Sequence, residues 1–178
     1  GGKIHIPCIS TQESVKLIKK AKKNKLNVKW KNSLGKQFEI SEIIDLIKKY
    51  PTSQIHIGTD SHFKSGYLIF ATVIAVYSPG ECSRYFFKRT FESSKYKCAL
   101  STRLLKEVQD SIETAEFVRS LINLDRKIYV HADISSDKKN KSNVVYEQAR
   151  KWIMAMGFDC KMKPISWASS SIADLHAK

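Results

Sequence analysis

The run YLIFATVIAVY (67–77) limits the fold more than any other feature of the sequence. It carries no charge and is closed by turn formers, Gly66 before it and Ser78-Pro79-Gly80 after it. A membrane-spanning helix needs about 20 apolar residues, so these eleven cannot cross a bilayer, and the segment reads as a long apolar strand. Gln54–Ser61, which begins with alternating residues, precedes it, and Cys82–Glu92 follows the second turn. The three together predict an antiparallel meander.

Beyond the meander the period changes. Apolar residues at 104, 105, 108, 112, 115, 118 and 122 form a helical stripe within Leu100–Asn123. Lys127–Ile134 is a short β-rich run. Ser142–Met156 is a helix capped by Ser142 and closed by Gly157, Phe158–Ile165 is a fifth strand, and Ser169–Lys178 is a short final helix. A meander followed by helix, strand, helix and strand is an α/β order in which the crossovers must be right-handed. The compact solution is a five-stranded mixed sheet of order 3-2-1-4-5 flanked by helices. Its first and fourth strands are then parallel neighbours at the switch point where open α/β sheets place their sites.

The chain has 178 residues, 42% of them apolar, which suits one packed domain with a short added arm. Its 31 Lys and Arg exceed its 17 Asp and Glu, a formal charge of +14 that points to a polyanionic partner. Residues 1–50 hold twelve lysines against four acids and read as a basic helical extension ahead of a domain at 51–178. Its expected helices are Ser10–Lys23, amphipathic, and 40–50, with Ser41 as N-cap and Pro51 beyond its end. Cys8, Cys82, Cys98 and Cys160 include no Cys-x-x-Cys pair, and the start GGKIHIP lacks an apolar signal region. The expectation is a protein of a reducing, cytoplasmic setting, with neither a zinc site nor a disulfide framework.

Asp60 ends the first strand (HIGTDS) and Asp133 the fourth (VHADIS). Neighbouring strands lie about 4.8 Å apart, so carboxylates at matching heights could share a divalent cation. The long helix offers Glu107, Asp110, Glu113 and Glu116. At about 100° per residue, with Val108 as zero and the stripe near −20°, Glu107 falls near −100°, Glu116 near +80°, Asp110 near −160° and Glu113 near +140°. Asp110 and Glu113 look outward, whereas Glu107 and Glu116 flank the buried stripe, and of these two Glu107 is nearer the helix start, beside the open end of the sheet. Asp174 in the last helix completes a set of four. Four such acids disfavour joint ionisation without cations, and two Mg²⁺ or Mn²⁺ about 3.5–4 Å apart would relieve the repulsion and clamp a displacement at phosphorus.

From about Ile55 to Lys178 the chain resembles the ribonuclease H-like YkuK family, itself similar to RNase H and RuvC-type nucleases and resolvases. The residues that carry the resemblance are IGTDS (57–61), RLLKEV (103–108), HADIS (131–135), KNKS (139–142) and the ending GFDCKMKP…ASSSIADLHAK. The resemblance implies an RNase H-like fold and a two-metal nuclease acting on RNA, DNA or their hybrid, with Asp60, Glu107, Asp133 and Asp174 as metal ligands. In that scheme Asp60 bridges both ions, Glu107 and Asp133 hold one, and Asp174 helps hold the other. The alternative is a non-catalytic module of the same fold that binds nucleic acid or a partner protein.

Around these acids, His176 could shuttle a proton. His56 and His131 are expected to pack or to bond backbone, and His62 could touch substrate. Lys88, Arg89, Arg103, Lys138, Lys139 and Lys141 are the candidate phosphate contacts, giving salt-dependent and mostly sequence-independent binding. Trp30, Trp152 and Trp167 could stack bases, although Trp152 and Trp167 are better placed to pack in or near the core. No P-loop, nucleophile elbow or dinucleotide fingerprint is present.

Overall fold

The computed structural model describes residues 28–80, 83–93, 98–122 and 126–178. The expected helix at 10–23 and the lysines before residue 28 lie outside the described residues. In chain order the elements are β1 (Trp30–Asn32), β2 (Gln37–Phe38), α1 (Ile40–Lys49), β3 (Gln54–Lys64), β4 (Tyr67–Tyr77), β5 (Arg84–Ser93), α2 (Leu100–Ile122) and β6 (Ile128–Ala132). A 3-10 turn (Lys141–Val145), α3 (Tyr146–Ala155), β7 (Asp159–Met162), a π-helical turn (Ala168–Ala173) and α4 (Asp174–Ala177) follow.

The expected meander forms, with β3 paired to β4 and β4 to β5 along nearly their whole lengths. Gly66 and Gly80 take φ of 81° and 77° at its two turns, a backbone region open to glycine at little cost. β6 joins β3 in parallel and β7 joins β6 in parallel. The order β5-β4-β3-β6-β7 is therefore the expected 3-2-1-4-5.

The sheet has seven strands, not five: β1 pairs antiparallel with β5, and β2 with β1. This hairpin is built on Asn32, whose side-chain oxygen accepts from the N–H of Leu34 and of Lys36 at 3.0 and 2.9 Å. Such an Asx arrangement mimics a backbone turn. Trp30 is only 2% exposed, so the hairpin is anchored in the core.

Residues before position 50 contribute more than basic charge. α1 buries Ile40, Ile43, Ile44 and Ile47 in the same cluster as Ile55, Ile57 and Val130 of the sheet. Its N-cap is Glu39 rather than Ser41: the Glu39 carboxylate accepts from the third helical N–H, and Glu42 accepts from the Glu39 N–H at 2.7 Å. At the far end the Arg126 guanidinium donates to the carbonyls of Ile47, Tyr50 and Ser53, closing the orphaned end of the helix.

The α2 stripe packs on one face of the sheet through Leu104, Val108, Ile112, Ala115, Val118 and Ile122. β7 is shorter than the expected strand, and the 3-10 turn replaces the first turn of the helix expected from Ser142. Ser142 does not cap it; its hydroxyl accepts from the Ser135 N–H at 3.1 Å. On the other face the π-helical turn crosses Gly58 so closely that a Cβ there would lie 2.7 Å from the Ser169 nitrogen. Only glycine permits that approach.

Candidate acidic site

The parallel register of β3 and β6 runs from Ile55↔Ile128 to Gly58↔His131. Asp60 and Asp133 each lie two residues past that last pair, at the same end of the two central strands. The π-helical turn brings Asp174 onto this end, since it begins against Gly58 and hands over to α4 at Asp174. Wide π turns recur at functional sites because they redirect a helix within a few residues. Glu107 enters from the opposite face on the second turn of α2.

Of the four acids on α2, Glu107 alone is buried, at 4% exposed. The Ser61 hydroxyl donates to its Oε1 at 2.6 Å, and Arg103 Nε stands 3.9 Å from the same oxygen. Asp110 instead pairs with Lys106 at 2.5 Å, Glu113 accepts from Gln109 at 2.9 Å, and Glu116 lies 4.0 Å from Arg119.

The electrostatics show that the four acids share one region. Burial raises Asp60 to about 7, and the charges of Asp174 and, less strongly, Asp133 push the same way. Burial likewise raises Glu107 to about 8, reinforced first by Asp60 and then by Asp133, against the bond from Ser61. Near neutrality Glu107 therefore keeps its proton for the most part and Asp60 is about half protonated, and a cation would favour the ionised form of both.

The two outer acids hold lysines. Lys163 Nζ lies 3.1 Å from Asp133 Oδ1, and Lys178 Nζ lies 2.5 Å from Asp174 Oδ2. The Ser166 hydroxyl also approaches Asp133, at 3.5 Å. Among the described residues no three His, Cys, Asp or Glu side chains close on a single ion. The donor set itself is all carboxylate and hydroxyl oxygen, the chemistry that Mg²⁺ takes, and burial together with the neighbouring carboxylates raises two of its acids, Asp60 and Glu107. The residues present fit a hard divalent cation.

Sequence reasoning did not anticipate Ser61, Lys163 or Ser166. Ser61 follows Asp60 directly in IGTDS, and Lys163 stands inside GFDCKMKP, so both lay within segments already singled out.

His176 turns away from the acids. Its ring stacks on Phe87 at 3.6 Å, Nε2 meets the Tyr85 hydroxyl at 3.2 Å, and burial lowers its pKa, helped by Arg89. Arg89 Nε donates to the His176 carbonyl at 2.5 Å, tying α4 to β5. Lys88 and Arg89, grouped as phosphate contacts, point to opposite faces because they are neighbours in one strand. Lys88 Nζ lies 5.1 Å over the Trp30 ring on the α2 side. Lys138, Lys139 and Lys141 are exposed on the connection that leaves the Asp133 end of β6. Of the tryptophans, Trp30 is buried, Trp152 packs against the main core, and Trp167 packs partly buried against a smaller cluster around Val73 and Phe87.

A family model described as ribonuclease H-like matches residues 39–178. The chain belongs to the ribonuclease H-like family. The match takes in α1 as well as the sheet, so it starts well before Ile55, where the sequence resemblance was placed. No curated protein matches the chain. Membership of the ribonuclease H-like family, with the mixed sheet of that fold, supports a nucleic-acid-related role, as nuclease or as binding module. Among the described residues no helix is long and apolar enough to cross a membrane.

Proposed function

We propose that this protein is a metal-dependent nuclease of the YkuK branch of the family, hydrolysing phosphodiester bonds in RNA, DNA or their hybrid. The observation that carries the reading is the convergence of four acids, on two strand ends and two helices, with Asp60 raised to about 7 by burial and by the charges of Asp174 and Asp133, and Glu107 to about 8 by burial and by the charges of Asp60 and Asp133. Structural carboxylates are rarely held in that condition, whereas active sites commonly are.

Asp60, Glu107, Asp133 and Asp174 would hold the metal. Two Mg²⁺ or Mn²⁺ ions would supply Lewis-acid polarisation of the phosphate and a nucleophilic water at neutral pH. The protein's own contribution is positional. Ser61 fixes the Glu107 carboxylate by its hydroxyl, and Arg103 offsets the buried charge when the proton leaves. Lys163 and Lys178 balance Asp133 and Asp174 and would release them to a cation. Lys138, Lys139 and Lys141 would grip the phosphate backbone, and Arg89 holds the α4 end on which Asp174 depends. A proton-transfer role for His176 would require its ring to leave Phe87 and Tyr85.

The lysine–carboxylate pairs favour one second reading, a non-catalytic nucleic-acid-binding module whose acids are neutralised by lysine. The two readings separate in a cleavage panel of RNA:DNA hybrid, single strands and branched DNA with Mg²⁺ or Mn²⁺. The nuclease reading expects cleavage that EDTA and Asp60→Asn each abolish. Cleavage that survives either one, or tight binding with no cleavage of any substrate, overturns it.

A further inference from the structure

Alternation along β3 puts Gln54 and His56 on the same face as Asp60. The π-helical turn covers Gly58 on that face. Toward Gln54 the face opens into a cleft of about 480 Å³ whose walls include Gln54, His56, Tyr77, Tyr129, Lys161 and Trp167. That volume is in the range of small-molecule sites, roughly 300–1,000 Å³. Tyr129 stacks on His56 at 4.7 Å and 13°, Trp167 leans on His56 at 4.7 Å, and Tyr77 meets Trp167 at 6.1 Å. Tyr77 is 40% exposed, and Lys161 Nζ stands 5.1 Å over the Tyr129 ring.

The polar groups beneath these rings form one hydrogen-bonded chain. The Ala168 N–H donates to His131 Nδ1 at 3.3 Å, which favours the tautomer with the His131 proton on Nε2. In that tautomer the proton is donated to His56 Nδ1 at 2.8 Å, which leaves the His56 proton on Nε2, donated in turn to Gln54 Oε1 at 3.1 Å. The chain starts at a backbone N–H and ends by consuming the acceptor of the Gln54 amide. Its NH₂ is thereby oriented as a donor at the cleft, toward a ring nitrogen or carbonyl. Aromatic planes, a fixed amide donor and a nearby ammonium are the three groups that a base, its edge and its phosphate require.

We propose that this cleft is a subsite for an unpaired nucleobase, held among the rings of Tyr77, Tyr129 and Trp167, with its edge met by the Gln54 amide and its phosphate by Lys161, which swings off the Tyr129 ring to reach it. The proposal rests on the nucleic-acid reading of the acidic site and deepens it: the substrate has an unpaired segment. His56 lies four residues from Asp60 on one strand, about 13 Å at about 3.3 Å per residue, with the π-helical turn crossing at Gly58 between them, so a strand seated here and engaged at the acids has to pass around that turn.

The test is anisotropy of a fluorescein-labelled single-stranded 12-mer in EDTA, where no cleavage intervenes, with an abasic strand and a duplex of the same length beside it. Tyr129→Leu is expected to weaken the single strand by roughly 5- to 100-fold, the loss of one stacked base, and to leave duplex binding unchanged. Tyr129→Phe retains the affinity and shows that the fold is not at issue, and the abasic strand binds the wild type as weakly as Tyr129→Leu binds the normal one. Competition by adenosine 5′-monophosphate assigns the cleft to a free nucleotide; its absence, with the Tyr129→Leu loss intact, assigns it to a base within a strand. Equal affinity of wild type and Tyr129→Leu, or of abasic and normal strands, overturns the subsite. A Tyr129→Leu loss without cleavage of any substrate leaves the subsite standing and removes the nuclease; Asp60-dependent cleavage with no Tyr129 effect does the reverse.

Discussion

Glu107→Gln should stabilise the metal-stripped protein at alkaline pH and leave it nearly unchanged in acid. The substitution keeps volume and keeps an oxygen for the Ser61 hydroxyl, so what it removes is the charge. Glu107 titrates from about 8 in the fold against an ordinary value of 4.5, chiefly through burial. A carboxyl whose folded pKa is raised binds its proton more tightly in the native than in the unfolded state. Wild-type stability therefore falls as pH rises from about 4.5 and levels off above about 8. At about 1.4 kcal/mol per unit the ceiling is near 5 kcal/mol. Because the Asp60 charge supplies part of that shift and Asp60 itself titrates in the same range, the two acids share the cost, and the part carried by Glu107 is about 3 kcal/mol. In a domain of this size that is a rise of roughly 6–12 °C in Tm. Thermal or urea unfolding in EDTA at pH 5 and pH 9 measures it, and taking the mutant-minus-wild-type difference cancels the other titrating groups. An equal difference at both pH values, or a mutant less stable at pH 9, would refute the assignment of Glu107 as a buried acid raised by its surroundings.

Three further outcomes follow from the same geometry. Gly58→Ala puts a Cβ 2.7 Å from the Ser169 nitrogen; it should cost about 1–3 kcal/mol by overpacking and abolish any Asp174-dependent activity, readable as unfolding midpoint and cleavage rate together. Burial lowers His56 to about 4 and His131 to about 3, so their contribution is full above pH 6.5 and is lost as pH falls through those values. His56→Gln should flatten that acid limb by about 2 kcal/mol in urea titrations between pH 7 and pH 4. Arg126→Met, which strips the carbonyls of Ile47, Tyr50 and Ser53 of their donor, should cost about 2 kcal/mol and speed hydrogen exchange first in α1.

The inner sheet order could be read from the sequence because Gly66 and Ser78-Pro79-Gly80 punctuate long strands, and right-handed crossovers leave one compact arrangement. The outer hairpin could not: strands of three and two residues carry no periodicity, and Trp30 is held by tertiary packing. Helix geometry set Asp110 and Glu113 aside and left Glu107 and Glu116 flanking the buried stripe; nearness to the helix start, beside the open end of the sheet, then separated Glu107. The lysines beside the acids were a different matter. Lys178 lies one turn from Asp174, but Lys163 reaches Asp133 across thirty residues of chain, through packing that no local pattern records. The opposite directions of Lys88 and Arg89 were available from strand alternation. The His56–His131 bond needed the β3–β6 register, which depends on how two strands far apart in sequence align.

The central claim is that the four acids are a divalent-cation site. Calorimetric titration of Mn²⁺ into the protein at pH 7.5, in buffers of different ionisation enthalpy, tests it most directly. The account predicts saturable binding of two ions with release of protons from Asp60 and Glu107, lost in Asp60→Asn. No binding, or binding with no proton release that Asp60→Asn leaves intact, would contradict it.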